Sequence, residues 1–215
     1  VLKYMQDREY PFHTRPMLAF GGAAYDGIDF NISYNGRGAV DSIRSHYSEL
    51  GYTGWKSLPG TLAEVNQIAK VSNNSEIITG KNVNENLVKE LSQSGKLLEY
   101  EVIHFATHGV VVPEIPELSA LVLSQFDEDV DGEDGYLTIG EIEELNLSAD
   151  FVNLSACNTG LGKVFASEGV IGLTQSFLIA GANSVSVSLW PVDDKSTSIF
   201  MVELYKLAES EGLSY

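Results

Sequence analysis

Cysteine is all but missing from this chain: Cys157 is the only one in 215 residues. No intrachain disulfide can form, so the fold must rest on a packed core, and a lone thiol suits a reducing, cytoplasmic setting. Basic side chains are scarce too. Lys and Arg number 13 against 30 Asp and Glu, a formal net charge of −17, which argues against direct nucleic-acid binding and favours solubility or cationic partners. Long apolar runs are absent. None approaches the roughly 20 residues of a membrane-spanning helix, and no signal peptide is visible, so no membrane partner is expected. The six prolines are scattered, and no linker, internal repeat or low-complexity tract divides the chain. What remains is 44% apolar and 20% charged, the composition of a globular protein. The length suffices for one buried α/β core.

Along the chain, residues 1–16 are polar and irregular. Met17-Leu18-Ala19-Phe20 is a short apolar run stopped by Gly21-Gly22, a first strand. The stretch from Tyr25 to Trp55, rich in Gly, Asn, Ser and Tyr, reads as a long loop or surface hairpin. Pro59-Gly60 opens a helix with Leu62, Val65, Ile68 and Ala69 at helical spacing and Thr61 as its N-cap. A strand from Glu76 to Thr79 ends at Gly80, and Asn84 to Ser92 is helical again. Strands at 101–108 and 119–123 follow, then Tyr136-Leu137-Thr138 and a short helix from Ile139 to Leu145. Beyond Cys157, Ser167 caps a helix that ends at Gly181, a strand runs from Asn183 to Leu189, and a last helix from Ser196 to Ala208. Strands alternating with helices imply an α/β fold with a doubly wound, mostly parallel sheet flanked by helices.

Two stretches carry chemistry. Phe151-Val152-Asn153-Leu154 is the kind of apolar run buried on both faces of a parallel sheet, and Ser155-Ala156-Cys157-Asn158-Thr159-Gly160 turns abruptly to loop residues. Cys157 sits at that switch, where open α/β sheets collect ligands and reactive groups. A free cysteine is often no more than a small buried hydrophobe. The stretch Glu101-Val102-Ile103-His104-Phe105-Ala106-Thr107-His108-Gly109 has the same design, an apolar strand ending in His and Gly. If the two strands are parallel neighbours, His108 and Cys157 emerge side by side on one rim. A cysteine nucleophile acts as thiolate and needs a base or a lowered pKa, and histidine titrates close to neutral pH. Gly109 and Cys157 can offer backbone N–H groups to an oxyanion. His104, four residues back, falls on the same face about 13 Å deeper and reads as structural.

Asp127-Glu128-Asp129-Val130-Asp131-Gly132 resembles the first half of an EF-hand calcium loop. The twelfth position is Thr138, where a bidentate Glu is required, so the stretch reads as a solvated acidic loop and no metal is assigned.

Three ordered motifs then point to a family: His104-Phe105-Ala106-Thr107-His108-Gly109, Leu154-Ser155-Ala156-Cys157-Asn158-Thr159-Gly160, and Ser188-Leu189-Trp190-Pro191-Val192-Asp193-Asp194. With Leu58-Pro59-Gly60-Thr61, Glu64-Val65 and the Leu18–Gly21 strand, they resemble the CHAT domain. That family belongs with the caspase-like cysteine peptidases, alongside separases, and is often joined to tetratricopeptide repeats in bacteria. The resemblance runs from Met17 onward and implies a peptidase domain over 17–215 behind an irregular segment, 1–16. It implies a bacterial, cytoplasmic cysteine endopeptidase with a His108–Cys157 dyad and an oxyanion hole at Gly109 and Cys157. No cofactor follows from it. The partners it implies are a protein or peptide substrate and a regulatory module such as tetratricopeptide repeats. By likeness to separases, Asp194, with Asp193 second, would recognise a basic side chain, with Ser155 and Trp190 in the same substrate site. Either aspartate also fits as cap of the helix that begins near Ser196. The alternative function is a catalytically silent caspase-like domain serving as a regulated binding module. Family members usually continue past Leu213 with another helix and an aromatic-containing segment. A truncated C-terminus with a missing sheet edge is therefore expected of a chain that runs from Val1 to Tyr215.

Overall fold

A computed structural model describes residues 12–25, 39–52, 54–125, 133–155, 157–158, 168–188 and 192–212, leaving aside the side chains of 39–42, 157–158 and 168–170. In chain order its elements are β1 (Arg15–Ala23), α1 (Ala39–Glu49), α2 (Pro59–Val71), β2 (Glu76–Gly80), α3 (Glu85–Gln93), β3 (Tyr100–Ala106) and β4 (His108–Val110). Then come β5 (Ala120–Val122), β6 (Tyr136–Thr138), α4 (Ile139–Glu143), β7 (Phe151–Leu154), β8 (Cys157–Asn158), α5 (Glu168–Ala180), β9 (Ser184–Val187) and α6 (Asp194–Glu211). Five strands form one sheet in the order β2-β1-β3-β7-β9, every pair parallel. A smaller sheet, β6-β5-β4-β8, is antiparallel except for its last pair. The α/β fold with a mostly parallel sheet flanked by helices is thus the one the alternating pattern implied.

Strand periodicity sorts the core into two layers. Leu18 and Phe20 of β1 and Ile103 and Phe105 of β3 face one side, where Val88 and Leu91 of α3 and Leu173 and Phe177 of α5 cover them. Phe105 stacks on Phe20 with centroids 4.7 Å apart and meets Phe177 at 5.7 Å. The alternate residues Met17, Ala19, Val102 and Ala106 face the other side, against Val65 and Ile68 of α2 and Met201, Val202 and Tyr205 of α6. Both faces of the central strands are covered, which is why they read as continuous apolar runs. No helix among the described residues is long and apolar enough to cross a membrane.

Local departures have physical causes. The stretch 25–55 contains α1, whose Ile43, Tyr47 and Leu50 pack on the core at helical spacing, with Tyr47 fully buried and its hydroxyl donating to the Leu118 carbonyl at 2.6 Å. The surrounding Gly and Asn hid that stripe. β1 starts at Arg15 and runs past the glycines to Ala23. Gly21 serves packing instead of ending the strand, since a Cβ there would sit 2.7 Å from Val65 and 2.8 Å from the Thr61 carbonyl. Thr61 is not the cap of α2. Leu58 holds that position with Pro59 as first helical residue, and Thr61 Oγ1 accepts the Gly22 N–H at 3.0 Å. The stretch 101–109 is two strands, broken at Thr107, rather than one. The last helix is longer than its apolar stripe, from Asp194 to Glu211. Ser167 and the acidic loop 127–131 lie outside the described residues.

Gly181 ends α5, as its position after the apolar stripe suggested. Its φ is +131°, and a Cβ would lie 1.9 Å from the Leu147 carbonyl oxygen. Backbone cannot yield as a flexible side chain would. Gly181→Ala is therefore expected to cost about 3 kcal/mol through dihedral strain and overpacking together, read as a lower urea midpoint at unchanged m-value. A midpoint equal to wild type would contradict this close approach.

Candidate functional site

The site is made where the chain changes sheets. β3 and β7 pair in parallel with His104 opposite Asn153 and Phe105 opposite Leu154. Each strand then breaks and resumes in the second sheet, where His108 is opposite Cys157 and Gly109 opposite Asn158. The offset is 49 residues on both sides of the break (153 − 104 and 157 − 108). The parallel register therefore passes through the changeover unshifted, and the backbones of His108 and Cys157 become direct neighbours beyond the carboxyl end of the main sheet. Gly109 is buried in β4, between Leu121 of β5 and Asn158 of β8.

The His108 ring is closely held. Its Nε2 lies 2.6 Å from the Lys56 carbonyl oxygen. A carbonyl only accepts, so Nε2 carries the hydrogen, and in the neutral ring Nδ1 is the basic nitrogen. The rings of Tyr25 and Trp55 stand 4.7 and 5.2 Å from the imidazole. The Tyr25 hydroxyl accepts the His108 N–H at 3.2 Å and donates to the Val122 carbonyl at 2.9 Å, tying β4 to β5. Trp55 in turn donates its indole N–H to the Tyr136 hydroxyl at 2.9 Å, and Tyr136 stacks on Tyr47. Burial pushes the pKa of His108 below its ordinary 6.5, and the Lys56 carbonyl opposes this with smaller effect. The imidazole is thus kept neutral near neutral pH, the state in which it can take a proton.

His104 is fully buried but does not share His108's surroundings. Its Nε2 meets Glu64 Oε1 at 2.8 Å, and its Nδ1 meets the Tyr205 hydroxyl at 3.0 Å and Asn153 Nδ2 at 2.9 Å. These partners lie in the α2–α6 layer, whereas Tyr25 and Trp55 belong to the opposite core. Counting four residues along a continuous strand fails here because the strand ends between the two histidines. The structural role expected for His104 agrees with this network.

The other candidates are dispersed. Ser155 follows β7 directly and is buried, its Oγ without a hydrogen-bond partner among the described residues. Asp193 caps α6, its Oδ1 accepting the Ser196 N–H at 2.9 Å, and that hydrogen bond holds its carboxyl below the usual range. Asp194 Oδ2 accepts the Gly60 N–H at 2.7 Å. β9, which leads toward these aspartates, pairs in parallel with β7. Trp190 lies outside the described residues, as does the side chain of Cys157. Tyr25, Trp55 and the Lys56 carbonyl were not foreseen. The aromatics Tyr47, Tyr52 and Trp55 were a visible signal inside the supposed loop, but a backbone carbonyl leaves none.

A twisted parallel sheet covered by helices on both faces, with a second small sheet continuing past its carboxyl edge, defines a caspase-like architecture. The chain belongs to the CHAT domain family, whose family model matches residues 11–212. It is 27% identical over 180 residues to the human (Homo sapiens) tetratricopeptide repeat protein 28, covering 70% of this chain and 7% of that protein. The mouse (Mus musculus) protein of the same name is 39% identical over 69 residues, 32% of this chain and 3% of its own length. The chain therefore spans a small fraction of these relatives. Both are mammalian, so they lend no support to the bacterial source expected from the family's habit.

One carboxylate cluster stands apart from this site. Oxygens of Glu85, Glu133 and Glu141 come within 4.8 Å of one another. The Lys89 ammonium supplies their countercharge, bonding Glu133 and Glu141, the latter at 2.8 Å, and lying 3.4 Å from Glu85. With its nearer carboxylates matched, Lys89 does little for Glu85, which also accepts the Gly135 N–H. Burial and the Asp134 charge push Glu85 up to about 8. The folded protein then keeps a proton that the unfolded chain releases above about 4.5. Stability from this group is complete below that value and is lost as pH rises toward 8. Urea unfolding between pH 5 and 8 should show a steeper loss for wild type than for Glu85→Gln. Equal losses would mean that Glu85 is ionised throughout.

Proposed function

We propose that the chain is a cysteine endopeptidase domain that cleaves a protein or peptide and is controlled by an attached tetratricopeptide repeat or partner module. The observation that carries this reading is the register that sets His108 opposite Cys157. In the proposed step His108 Nδ1 takes the Cys157 thiol proton, and sulfur attacks the scissile carbonyl carbon. The oxyanion is met by the N–H groups of Gly109 and Cys157. As the tetrahedral adduct collapses, the C–N bond breaks, and the imidazolium gives its proton to the departing amine. Water, deprotonated by the same nitrogen, then splits the thioester and restores the thiol. Ser155, Trp190 and Asp193 make up the substrate side. Of the two aspartates, the exposed Asp193 has acceptor capacity to spare for a basic side chain, while Asp194 is engaged with Gly60.

Control from outside suits a base that is only 2% exposed beneath Trp55 and Tyr25. The loop after β4, up to Pro116, adjoins it, and loops of this kind carry switching. The relatives' repeats make a helical module the natural source of the signal.

Cys157→Ala and His108→Ala should each abolish peptide cleavage while leaving the fold intact. The double variant should be no worse than either, because members of one catalytic unit are non-additive. Substantial turnover by Cys157→Ala would refute the mechanism, and failure of Cys157 to label with a peptide electrophile, with or without the partner, would favour the silent binding module. In a peptide library, Arg or Lys should be preferred before the cut, and Asp193→Asn should weaken that preference. A preference for acidic residues would contradict the assignment.

A further inference from the structure

Asp194 occupies a junction that the chemistry above leaves unused. Its carboxylate receives the Gly60 N–H at 2.7 Å. A Cβ on Gly60 would fall 2.5 Å from the same carboxylate, so the first residues of α2 and α6 are in direct contact, with no room for a larger residue at 60. A helix leaves its first N–H groups unsatisfied. At the start of α2, Pro59 has none to give, and Leu58 makes no side-chain cap. Gly60 therefore offers the helix's first N–H, and its partner comes from a different helix 134 residues away. The anion also faces the positive end of the α2 dipole. Burial raises the carboxyl's pKa, with the Glu64 and Asp193 charges adding to it, and the Gly60 N–H works in the opposite direction.

Just upstream, the same backbone touches His108 twice, through the Trp55 ring at 5.2 Å and the Lys56 carbonyl at 2.6 Å. Between them and α2, the Leu58 carbonyl is gripped by Thr61, through its N–H at 3.1 Å and its hydroxyl at 2.8 Å. The span from Lys56 to the helix start is too short to absorb movement of α2 without moving the carbonyl.

We infer that Asp194 is a positioning residue for His108: by capping α2 through Gly60 it fixes the Lys56 carbonyl, which holds the imidazole and decides which of its nitrogens is basic. The inference deepens the endopeptidase reading and rests on His108 being its base. It also makes the β9–α6 connection a lever on that base, since whatever draws Asp194 from Gly60 frees the segment that holds the ring.

The test is nitrogen NMR of the His108 imidazole in the 215-residue chain, for wild type, Asp194→Ala, Asp194→Asn and Gly60→Ala, with peptide cleavage measured alongside. Loss of the cap exposes the ring, and burial is the larger cause of its lowered pKa. In Asp194→Ala and Gly60→Ala the titration should therefore move up toward 6.5, with loss of the Nε2–H tautomer. Asp194→Asn keeps an amide oxygen for the Gly60 N–H, so its ring should titrate as in wild type. The Ala variants should lose about tenfold or more in kcat with KM within about twofold, the mark of a misplaced catalytic group. Combining Gly60→Ala with Asp194→Ala should add nothing to either change alone. A wild-type titration and tautomer in Asp194→Ala would overturn the inference, as would an Asp194→Asn ring shifted as far as that of Asp194→Ala. If the wild type cleaves nothing, the endopeptidase reading fails, while the imidazole titration still decides whether Asp194 positions the ring.

Discussion

Everything in this molecule depends on the parallel pairing of β3 with β7 being held in one register. These strands lie at the middle of the main sheet with side chains packed on both faces. A slip of one residue would exchange the faces of every side chain on the moving strand. Were β3 to slip, His104 would enter the layer of Phe20 and Phe177, and Phe105 would meet Glu64. Neither core can accept that. The register is therefore fixed by packing within the main sheet, and it passes across the changeover to set His108 opposite Cys157.

Polar contacts do a different job from apolar ones here. The aliphatic residues of the two layers are interchangeable to a degree, and alone they would allow helices to shift on the sheet. The Glu64–His104–Tyr205 network and the Asp194–Gly60 contact do not tolerate such shifts, because a buried polar group left without its partner is costly. They tie α2 and α6 to each other and to the central strand. α2 follows directly on the Trp55–Lys56 segment that grips His108. Specificity of packing and geometry of the candidate base are thus set by one group of contacts.

The acidic surplus is organised as well. Arg15 bridges Glu76 and Glu99, Lys96 adds to Glu76, and Lys89 gathers three glutamates. These three cations are placed where carboxylates converge, which limits local self-repulsion in a chain of net charge −17. As a CHAT family member related to tetratricopeptide repeat proteins, the chain corresponds to one small part of much longer molecules. A histidine closed over by aromatic rings is compatible with the proposed control by an attached module.

Sequence alone determined what depends on neighbours along the chain. Apolar runs and helical spacing marked the parallel strands and most helices, and the loop residues after Leu154 and Ala106 put a cysteine and a histidine at strand ends. Three ordered motifs were enough to indicate the family. What it left undecided was every feature made by distant segments. α1 was lost among glycines and asparagines because its few apolar residues have meaning only against Tyr136 and the core. The two histidines looked like members of one face because a change of sheet at Thr107 has no local signature. The Lys56 carbonyl could not be foreseen, since every residue has one and only the fold brings this one to His108. Asp194 read equally well as substrate anchor or cap of its own helix. It caps a different one, because only tertiary packing brings together groups 134 residues apart.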